Sequence, residues 1–222
     1  MLISLQTLVE WNLLDDARPY HTDNTAEISF EDVKRLKGEA IALVGEQCAD
    51  RASNELLSEY KAYIAGSDQH WLHDYARFTV LKLRFSDQAW TAWPARYAKR
   101  EAAALTEFDA VHAKEIYLVK VTQFLFARQW AALRQHARSC DVQLIGDCPI
   151  YVAADSADVW CNPQLFDLAD DGLPRVVAGV PPDYFSETGQ RWGNPHYNWE
   201  YMQNNDFSWW LERLKSAKLF SK

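Results

Sequence analysis

The sequence predicts an α/β fold, on three observations that follow one another along the chain. Roughly the first two-thirds of the sequence carries apolar residues at helical intervals. A short apolar run that ends in Gly-Asp, residues 141–147, then replaces this periodicity, which is typical of a buried parallel strand in a βα unit. Residues 150–201 follow with little periodicity of either kind. An ordered loop of that length inside a compact domain generally serves a function.

Helix signals divide the first two-thirds into several segments. Ser29, with Asp32 three residues later, has the spacing of a helix N-cap ahead of an apolar face. Asn54 is the expected cap of the next helix. Residues 71–85 are apolar on more than one face, so that segment is expected to be buried between neighbours. Further helices are predicted over residues 101–108, along an amphipathic stretch from about 116 to 138, and over the last residues from near Asn205 or Asp206.

The predicted strand places an acid at a position that often carries function. In α/β barrels and open α/β sheets the ligand site lies at the carboxyl ends of the strands, where Asp147 is expected. A helix cap or turn residue is the alternative for Asp147. Cys148, which follows it, is a candidate nucleophile, although a reduced and buried thiol is the favoured interpretation.

Residues 181–195 form the most unusual segment of the chain. The segment mixes prolines, glycines, acids, amides and aromatics without a helical or strand period. Prolines and glycines set the path of a loop, aromatic rings stack, and Asp, Gln and Asn form hydrogen bonds. Sugars combine hydroxyl edges with apolar faces, so they are the ligand class that fits best. Packing accounts for many of the ten tryptophans, but four near this segment favour a binding surface, namely Trp192, Trp199, Trp209 and Trp210.

Bulk composition excludes several classes of protein. A hydrophobic content of 48% with 24% charged residues is globular composition, and the net charge of −8 argues against a nucleic acid or an anionic membrane as partner. The sequence contains no Gly-rich phosphate loop, no HExxH and no GxSxG, so no cofactor or metal is expected. Four cysteines without CxxC or zinc spacing indicate reduced thiols in a cytoplasmic protein: Cys48, Cys140, Cys148 and Cys161.

Two long motifs carry a resemblance to a known family. Residues 145–153, Ile-Gly-Asp-Cys-Pro-Ile-Tyr-Val-Ala, with residues 155–160 after them, closely resemble amylomaltase, the bacterial 4-α-glucanotransferase of glycoside hydrolase family 77. Residues 176–195 resemble the long active-site loop of the same family almost residue for residue. Upstream, residues 71–76, 90–94 and 126–130 are similar to its helical subdomain and barrel helix. The resemblance covers the whole chain.

The resemblance implies a fold and an activity. The fold would be a partial (β/α)8 TIM barrel with an inserted, mainly helical subdomain, residues 1–110 forming the subdomain and residues 111–222 the barrel segment. Residues 150–201 would be the active-site loop. The activity would be transfer of α-1,4-glucan segments between 4-α-glucans, the disproportionation of maltooligosaccharides, by a retaining double displacement that needs two carboxyl groups. The implied partner is an α-1,4-glucan, with neither nucleic acid nor membrane.

The resemblance also assigns residues to the substrate site. Asp147 matches the aspartate at the end of the third barrel strand, which supports the active-site network. Asp155 and Asp158 are candidates for ligand contacts or for caps, and their place near a turn favours caps. The remaining candidates match the loop that covers bound glucan: Asp183, Tyr184, Phe185, Gln190, Trp192, Gly193 and Asn194.

The catalytic carboxyl groups of the family are expected beyond Lys222, the last residue of this sequence. The resemblance places the nucleophile in an Arg-Ile-Asp-His segment after the helix that ends near Phe220, and the acid/base later still. No residue of this chain is therefore predicted to be catalytic, and an internal fragment that also lacks the first barrel strand is expected to be inactive alone. We expect such a fragment to be marginally stable or self-associating, because its strand lacks neighbours. The alternatives are a non-catalytic glucan-binding fragment and a subunit that completes its barrel with a partner.

Overall fold

A computed structural model describes residues 2–20, 29–67 and 71–220, with side chains up to residue 216. Most of these residues are helical, as the periodicity predicts. No helix in the described ranges is both long and apolar enough to cross a bilayer. The α-helices are α1 Leu5–Glu10, α2 Phe30–Arg51, α3 Asn54–Ser67, α4 His73–Arg84, α5 Ala95–Ala98, α6 Ala102–Val111, α7 Ala113–Ser139, α8 Ala157–Cys161, α9 Trp199–Asn204 and α10 Ser208–Phe220.

The strands of the described chain form one antiparallel hairpin. Strand β1, Val177–Val180, pairs with β2, Gln190–Pro195. Both lie in the stretch 150–201 that was predicted to be a long loop, so that expectation was wrong for these residues. The physical reason is composition: Val-Ala-Gly-Val and Gln-Arg-Trp-Gly-Asn-Pro show no regular alternation of apolar and polar residues.

The chain divides into two compact units. One comprises residues 1–77 and 112–140, and the other comprises residues 78–111 and 141–222. These units do not coincide with the segments 1–110 and 111–222. The assignment of those two segments to a subdomain and a barrel stays a prediction, because compactness alone does not identify a barrel.

The first unit contains a helical core between α2 and α7. Ser29 caps α2 as predicted, since its Oγ accepts a hydrogen bond from the Asp32 backbone N–H at 3.2 Å. The predicted apolar face of α2 is buried at Ala40 and Val44. These residues belong to a cluster whose members include Leu8, Leu13, Leu56, Val121, Phe124 and Leu125.

Helix α3 begins one residue differently from the prediction. The Oγ of Ser53, and not the side chain of Asn54, accepts the hydrogen bond from the Leu56 backbone N–H, at 3.1 Å. Asn54 is the first helical residue. Asn54 was therefore the wrong cap, because the serine before it occupies the N-cap position and both side chains suit that role.

The second unit packs around Trp160, which is only 1% exposed. The Trp160 ring lies 5.8 Å from the rings of Phe78 and Trp93, and the Arg100 guanidinium lies 4.2 Å from its centroid. Its indole N–H donates to the Tyr97 carbonyl at 3.0 Å. The ring of Trp160 is thus packed and its indole N–H is hydrogen-bonded, as a buried tryptophan requires.

The predicted strand over residues 141–147 does not form. Residues 142–149 have no secondary structure, Val142 is exposed and Ile145 is 97% exposed. A parallel strand exists only when neighbouring strands accept and donate its backbone hydrogen bonds, and among the described residues no strand lies beside this segment. The strand prediction was therefore wrong for the described chain, and the partial barrel is not seen in it.

Candidate functional site

The candidate site is the β1–β2 hairpin and its connection, residues 181–189. Two glycines let the strands approach closely. A Cβ on Gly179 would lie 2.5 Å from the Gln190 carbonyl oxygen, and one on Gly189 would lie 2.5 Å from the Val180 oxygen. Gly189 also has a φ of +74°, which favours glycine. The pairing of Val180 with Gln190 then closes the connection at its base.

Asp183 shapes the turn inside this connection. Its Oδ1 accepts hydrogen bonds from the backbone N–H groups of Phe185 and Ser186, both at 2.9 Å. Its own N–H donates to the Ser186 carbonyl at 2.9 Å, and the Ser186 hydroxyl donates to the Gly189 carbonyl at 2.7 Å. This is an Asx-type turn, so one carboxylate oxygen of Asp183 has a structural role. That Asp183 binds a sugar hydroxyl stays a prediction, and the oxygen that would accept that hydrogen bond is Oδ2.

The turn presents two aromatic side chains to solvent. Tyr184 is 106% exposed and Phe185 is 93% exposed. Burial of rings this large stabilises a folded chain, so a globular domain normally covers them. Two adjacent exposed rings on a turn that is fixed by hydrogen bonds form a surface suited to an apolar ligand face.

Trp192 lies on β2, after this turn in the sequence. Its side chain is 49% exposed, and its indole N–H donates to Gln190 Oε1 at 3.0 Å. Its ring meets the edge of Tyr151 at a centroid distance of 6.3 Å. Gln190 therefore orients the indole, and Trp192 packs on one side while part of its surface faces solvent.

The last two candidates of the hairpin have backbone roles. Gly193 has a φ of +79°, in the left-handed region where a side chain is strained. Asn194 donates from Nδ2 to the Val152 carbonyl at 2.8 Å. The structure thus gathers all the loop candidates on one hairpin, and Asn194 connects it to residues 149–155, which lie two residues beyond Asp147.

Asp147 and Cys148 belong to the segment without secondary structure that precedes residues 149–155. Asp147 is exposed and Cys148 is half-buried. None of the four cysteines forms a disulfide, and Cys48 alone of them is buried. Among the described residues, no three His, Cys, Asp or Glu side chains are grouped to hold a metal ion.

The resemblance locates the family's two catalytic carboxyl groups after the last helix of this chain. Lys222, beyond which the resemblance locates the nucleophile and the acid/base, lies outside the described residues. Helix α10 is described as far as Phe220, where the resemblance expects a helix to end. The position of the two catalytic groups after that helix therefore stays a prediction, and the candidate site is built from binding and supporting residues alone.

Ser156 is the N-cap of the helix that follows, and the 3-10 helix Trp90–Ala92 has Ala89 as its N-cap, so the cap role that the sequence favoured was wrong for Asp155. Its Oδ1 accepts a hydrogen bond from the Trp90 N–H at 3.1 Å, where the 3-10 helix Trp90–Ala92 begins. Its Oδ2 accepts from Lys82 Nζ at 2.6 Å. Both oxygens of Asp155 are therefore engaged within the protein.

Asp158 lies in the first turn of α8, whose N-cap is Ser156. Burial raises the pKa of Asp158, and the nearby Arg213 charge and a hydrogen bond from Trp209 offset part of that rise. Asp158 is therefore a partly desolvated carboxyl with partners in the protein. It is not the N-cap of α8, and its partners leave it less available to a ligand.

The raised pKa of Asp158 predicts a pH dependence of stability. The folded chain holds this proton more tightly than the unfolded chain, so stability falls as pH rises from the unfolded pKa, about 3.9, through the folded pKa. We expect the unfolding free energy of the chain, minus that of Asp158→Asn, to decrease across this window and then level off. Urea denaturation of both proteins between about pH 4 and 7 measures the difference. A difference that grows with pH contradicts the assignment.

Sequence reasoning missed two residues near this site. The hydroxyl of Tyr197 donates to the Ile150 carbonyl at 2.7 Å, and Arg213 Nη2 donates to the Pro149 carbonyl at 2.9 Å. A backbone carbonyl has no sequence signal, so such contacts are visible only in three dimensions. The one available hint was the cluster of tryptophans, since Tyr197 packs against Trp199, Trp209 and Trp210.

Comparison with known proteins identifies relatives over the whole chain. The family model described as 4-alpha-glucanotransferase, a glycoside hydrolase family 77 model, matches residues 1–221. The chain is 47% identical over 168 residues to the 4-alpha-glucanotransferase of Thermus thermophilus, covering 76% of this chain and 33% of that protein. It is 37% identical over 220 residues to the chloroplastic/amyloplastic 4-alpha-glucanotransferase of Arabidopsis thaliana, covering 98% of this chain and 38% of that protein.

A solved structure is similar in fold. The chain superposes on the amylomaltase from Streptococcus agalactiae in complex with acarbose with a TM-score of 0.90 and 30% sequence identity. The match covers 99% of this chain and 44% of that one. The chain thus spans between a third and two-fifths of the length of the curated relatives named above.

Proposed function

We propose, since this chain belongs to the 4-alpha-glucanotransferase family, that its hairpin binds the α-1,4-glucan on which transfer takes place. The observation that carries the proposal is the pair of exposed rings, Tyr184 and Phe185, on a turn fixed by Asp183. A glucan has apolar C–H faces that stack on such rings, and it has hydroxyl edges that need polar partners. The amylomaltase of Streptococcus agalactiae was solved with acarbose bound, which supports a sugar-like ligand.

The polar candidates lie on the same hairpin as these rings. Gln190 and Asn194 flank Trp192 on β2 and each carries an amide, while Asp183 retains Oδ2 for a hydroxyl. We propose that these groups fix the orientation of the glucan, whereas the three aromatic rings supply most of the binding free energy. Stacking contributes on the order of 25 cal/mol per Å² of apolar surface that is removed from water.

We propose the chemistry of transfer on the ground of family membership. It is a retaining double displacement with a carboxylate nucleophile and a carboxyl acid/base, with Asp147 in a supporting role. For residues 1–222 alone we propose binding of glucan without transfer. Residues 142–149 would then pair with neighbouring barrel strands in a complete enzyme. A cytoplasmic location is likewise a proposal, and the plant relative is named as chloroplastic/amyloplastic.

Binding of maltoheptaose to the purified chain tests the proposal. We expect tryptophan fluorescence to report binding, and the double variant Tyr184→Ala/Phe185→Ala to weaken it roughly 5- to 150-fold, which corresponds to losing about 1–3 kcal/mol of stacking. Because both rings are exposed, the circular dichroism spectrum and melting temperature should not change. Phe30→Ala, which removes an exposed ring on α2, is the matched control and should bind as the parent does. Equal affinity of parent and double variant contradicts the proposal.

A further inference from the structure

The backbone of residues 149–155, called here the strap, is held by side chains. No backbone–backbone hydrogen bond joins residues 142–155 to another described residue. Four side-chain N–H or O–H groups donate to strap carbonyls in their place: Arg213 Nη2 to Pro149 at 2.9 Å, Tyr197 Oη to Ile150 at 2.7 Å, Asn194 Nδ2 to Val152 at 2.8 Å and Trp90 Nε1 to Ala154 at 2.9 Å. Val152 is buried and Ala154 is half-buried, so their carbonyls need such partners. Pro149 and Ile150 are exposed, and none of the four carbonyls accepts a hydrogen bond from the backbone of a sheet.

Tyr197 is packed on several sides, so its hydroxyl has a fixed position beside the Ile150 carbonyl. The residue is buried, and its ring lies parallel to that of Tyr151, with 6° between the planes and 6.5 Å between the centroids. Trp209 and Trp210 pack on it at 5.8 and 5.2 Å. Burial raises the pKa of Tyr197 to about 12. The hydroxyl therefore keeps its proton at neutral pH and donates a hydrogen bond to the Ile150 carbonyl.

Arg213 is held in the same neighbourhood. Its guanidinium carbon lies 5.1 Å from the Trp209 ring centroid and 5.8 Å from that of Trp210. The carboxyl of Asp158 interacts with it electrostatically. A planar cation with two rings and an acid close to it is restricted in orientation, and one of its N–H groups is directed at the Pro149 carbonyl, two residues after Asp147.

We infer that Tyr197 and Arg213 are positioning residues: they hold the start of the strap, and thereby Asp147, in fixed register with the glucan-binding hairpin. The inference rests on the proposed function of the hairpin. Asn194 on β2 makes the next contact of the strap, so hairpin and strap share one set of hydrogen bonds. A displacement of about 1 Å in a supporting carboxylate can lower a rate by roughly 100-fold, which gives these contacts a reason beyond stability.

Thiol labelling of the 222-residue chain tests the positioning directly. Cys148 is half-buried and immediately precedes the strap, and Cys140 is exposed and serves as the internal reference. Tyr197→Phe removes one hydroxyl and leaves the ring. We expect it to raise the alkylation rate of Cys148 roughly three- to tenfold through local opening, with Cys140 unchanged. Arg213→Met, which keeps a long apolar side chain, should do the same. Tyr201→Phe, a matched change on α9 at a residue that is not among the four donors to the strap, should leave both rates unchanged.

Kinetics in a full-length 4-alpha-glucanotransferase that carries residues 1–222 supply the second measurement. Tyr197→Phe should lower kcat for maltotriose roughly tenfold and leave KM within about twofold, because the hairpin rings are intact. An unchanged Cys148 rate in both strap variants, or an equal rise in Tyr201→Phe, overturns the inference. Lower melting temperature with unchanged kcat also overturns it, since the contacts would then serve stability alone. If maltoheptaose fails to bind but the alkylation rate of Cys148 rises and kcat falls, the proposed function of the hairpin is contradicted and the positioning role stands.

Discussion

Replacing Trp160 with alanine is expected to destabilise the second unit by roughly 3–5 kcal/mol, the range for a large buried aromatic. The ring packs against Phe78 and Trp93, so its removal leaves a cavity between them. The change also leaves the Tyr97 carbonyl without its indole donor and the Arg100 guanidinium without the ring beneath it. Urea denaturation of the chain, followed by near-ultraviolet circular dichroism, measures the loss.

Two further variants make the Trp160 prediction specific. Trp160→Phe retains most of the ring volume and removes the N–H, so it should cost less than the alanine variant, about 1–2 kcal/mol. Trp199→Ala deletes a ring that is largely exposed, and it should cost under about 1 kcal/mol. If Trp160→Ala and Trp199→Ala have similar unfolding free energies, Trp160 is not the centre of this core.

The helical part of the fold was predictable because its signals are local. Ser29 and Asp32 lie three residues apart and meet within one helical turn, so sequence spacing alone identifies the cap. The same reasoning placed the second cap one residue late, because Ser53 and Asn54 both suit an N-cap and only the backbone decides between them. Local chemistry therefore locates a helix well and its first residue less well.

The strand prediction failed for a reason that local chemistry does not contain. An apolar run such as residues 142–145 favours a strand, yet a strand forms only against partners elsewhere in the chain. The described residues provide none, and Ile145 is exposed in consequence. The hairpin was missed for the opposite reason: Gly179 and Gly189 weaken the strand pattern while making the close pairing of β1 and β2 possible.

The candidate site was predictable in its residue types and not in their division of labour. Sequence and family resemblance grouped Asp183, Gln190, Trp192 and Asn194 as binding residues. The structure shows that Asp183 fixes a turn, Gln190 orients an indole and Asn194 holds the strap. Polar residues that bind a ligand and polar residues that shape a loop have the same composition, so only hydrogen-bond geometry distinguishes them.

Replacing Trp192 with alanine is expected to lower kcat/KM roughly 5- to 150-fold in a full-length 4-alpha-glucanotransferase that carries this segment. That range corresponds to about 1–3 kcal/mol of transition-state binding lost with one stacking ring. The ring is half-exposed and its contacts are an edge with Tyr151 and a hydrogen bond to Gln190, so it contributes little to the core. Melting temperature should therefore hardly change, since such positions alter stability by about 0.5 kcal/mol or less.

The same Trp192 variant also tests the alternative that this ring is packing. A core tryptophan would cost roughly 3–5 kcal/mol of stability and leave the kinetics of the folded enzyme intact. Melting and kinetics measured on one preparation therefore give opposite patterns for the two roles. Trp71→Ala is the matched control, because that ring is similarly exposed and belongs to the first unit, so it should change neither quantity much. A large fall in stability with unchanged kcat/KM would remove Trp192 from the glucan site and leave Tyr184 and Phe185 as its stacking residues.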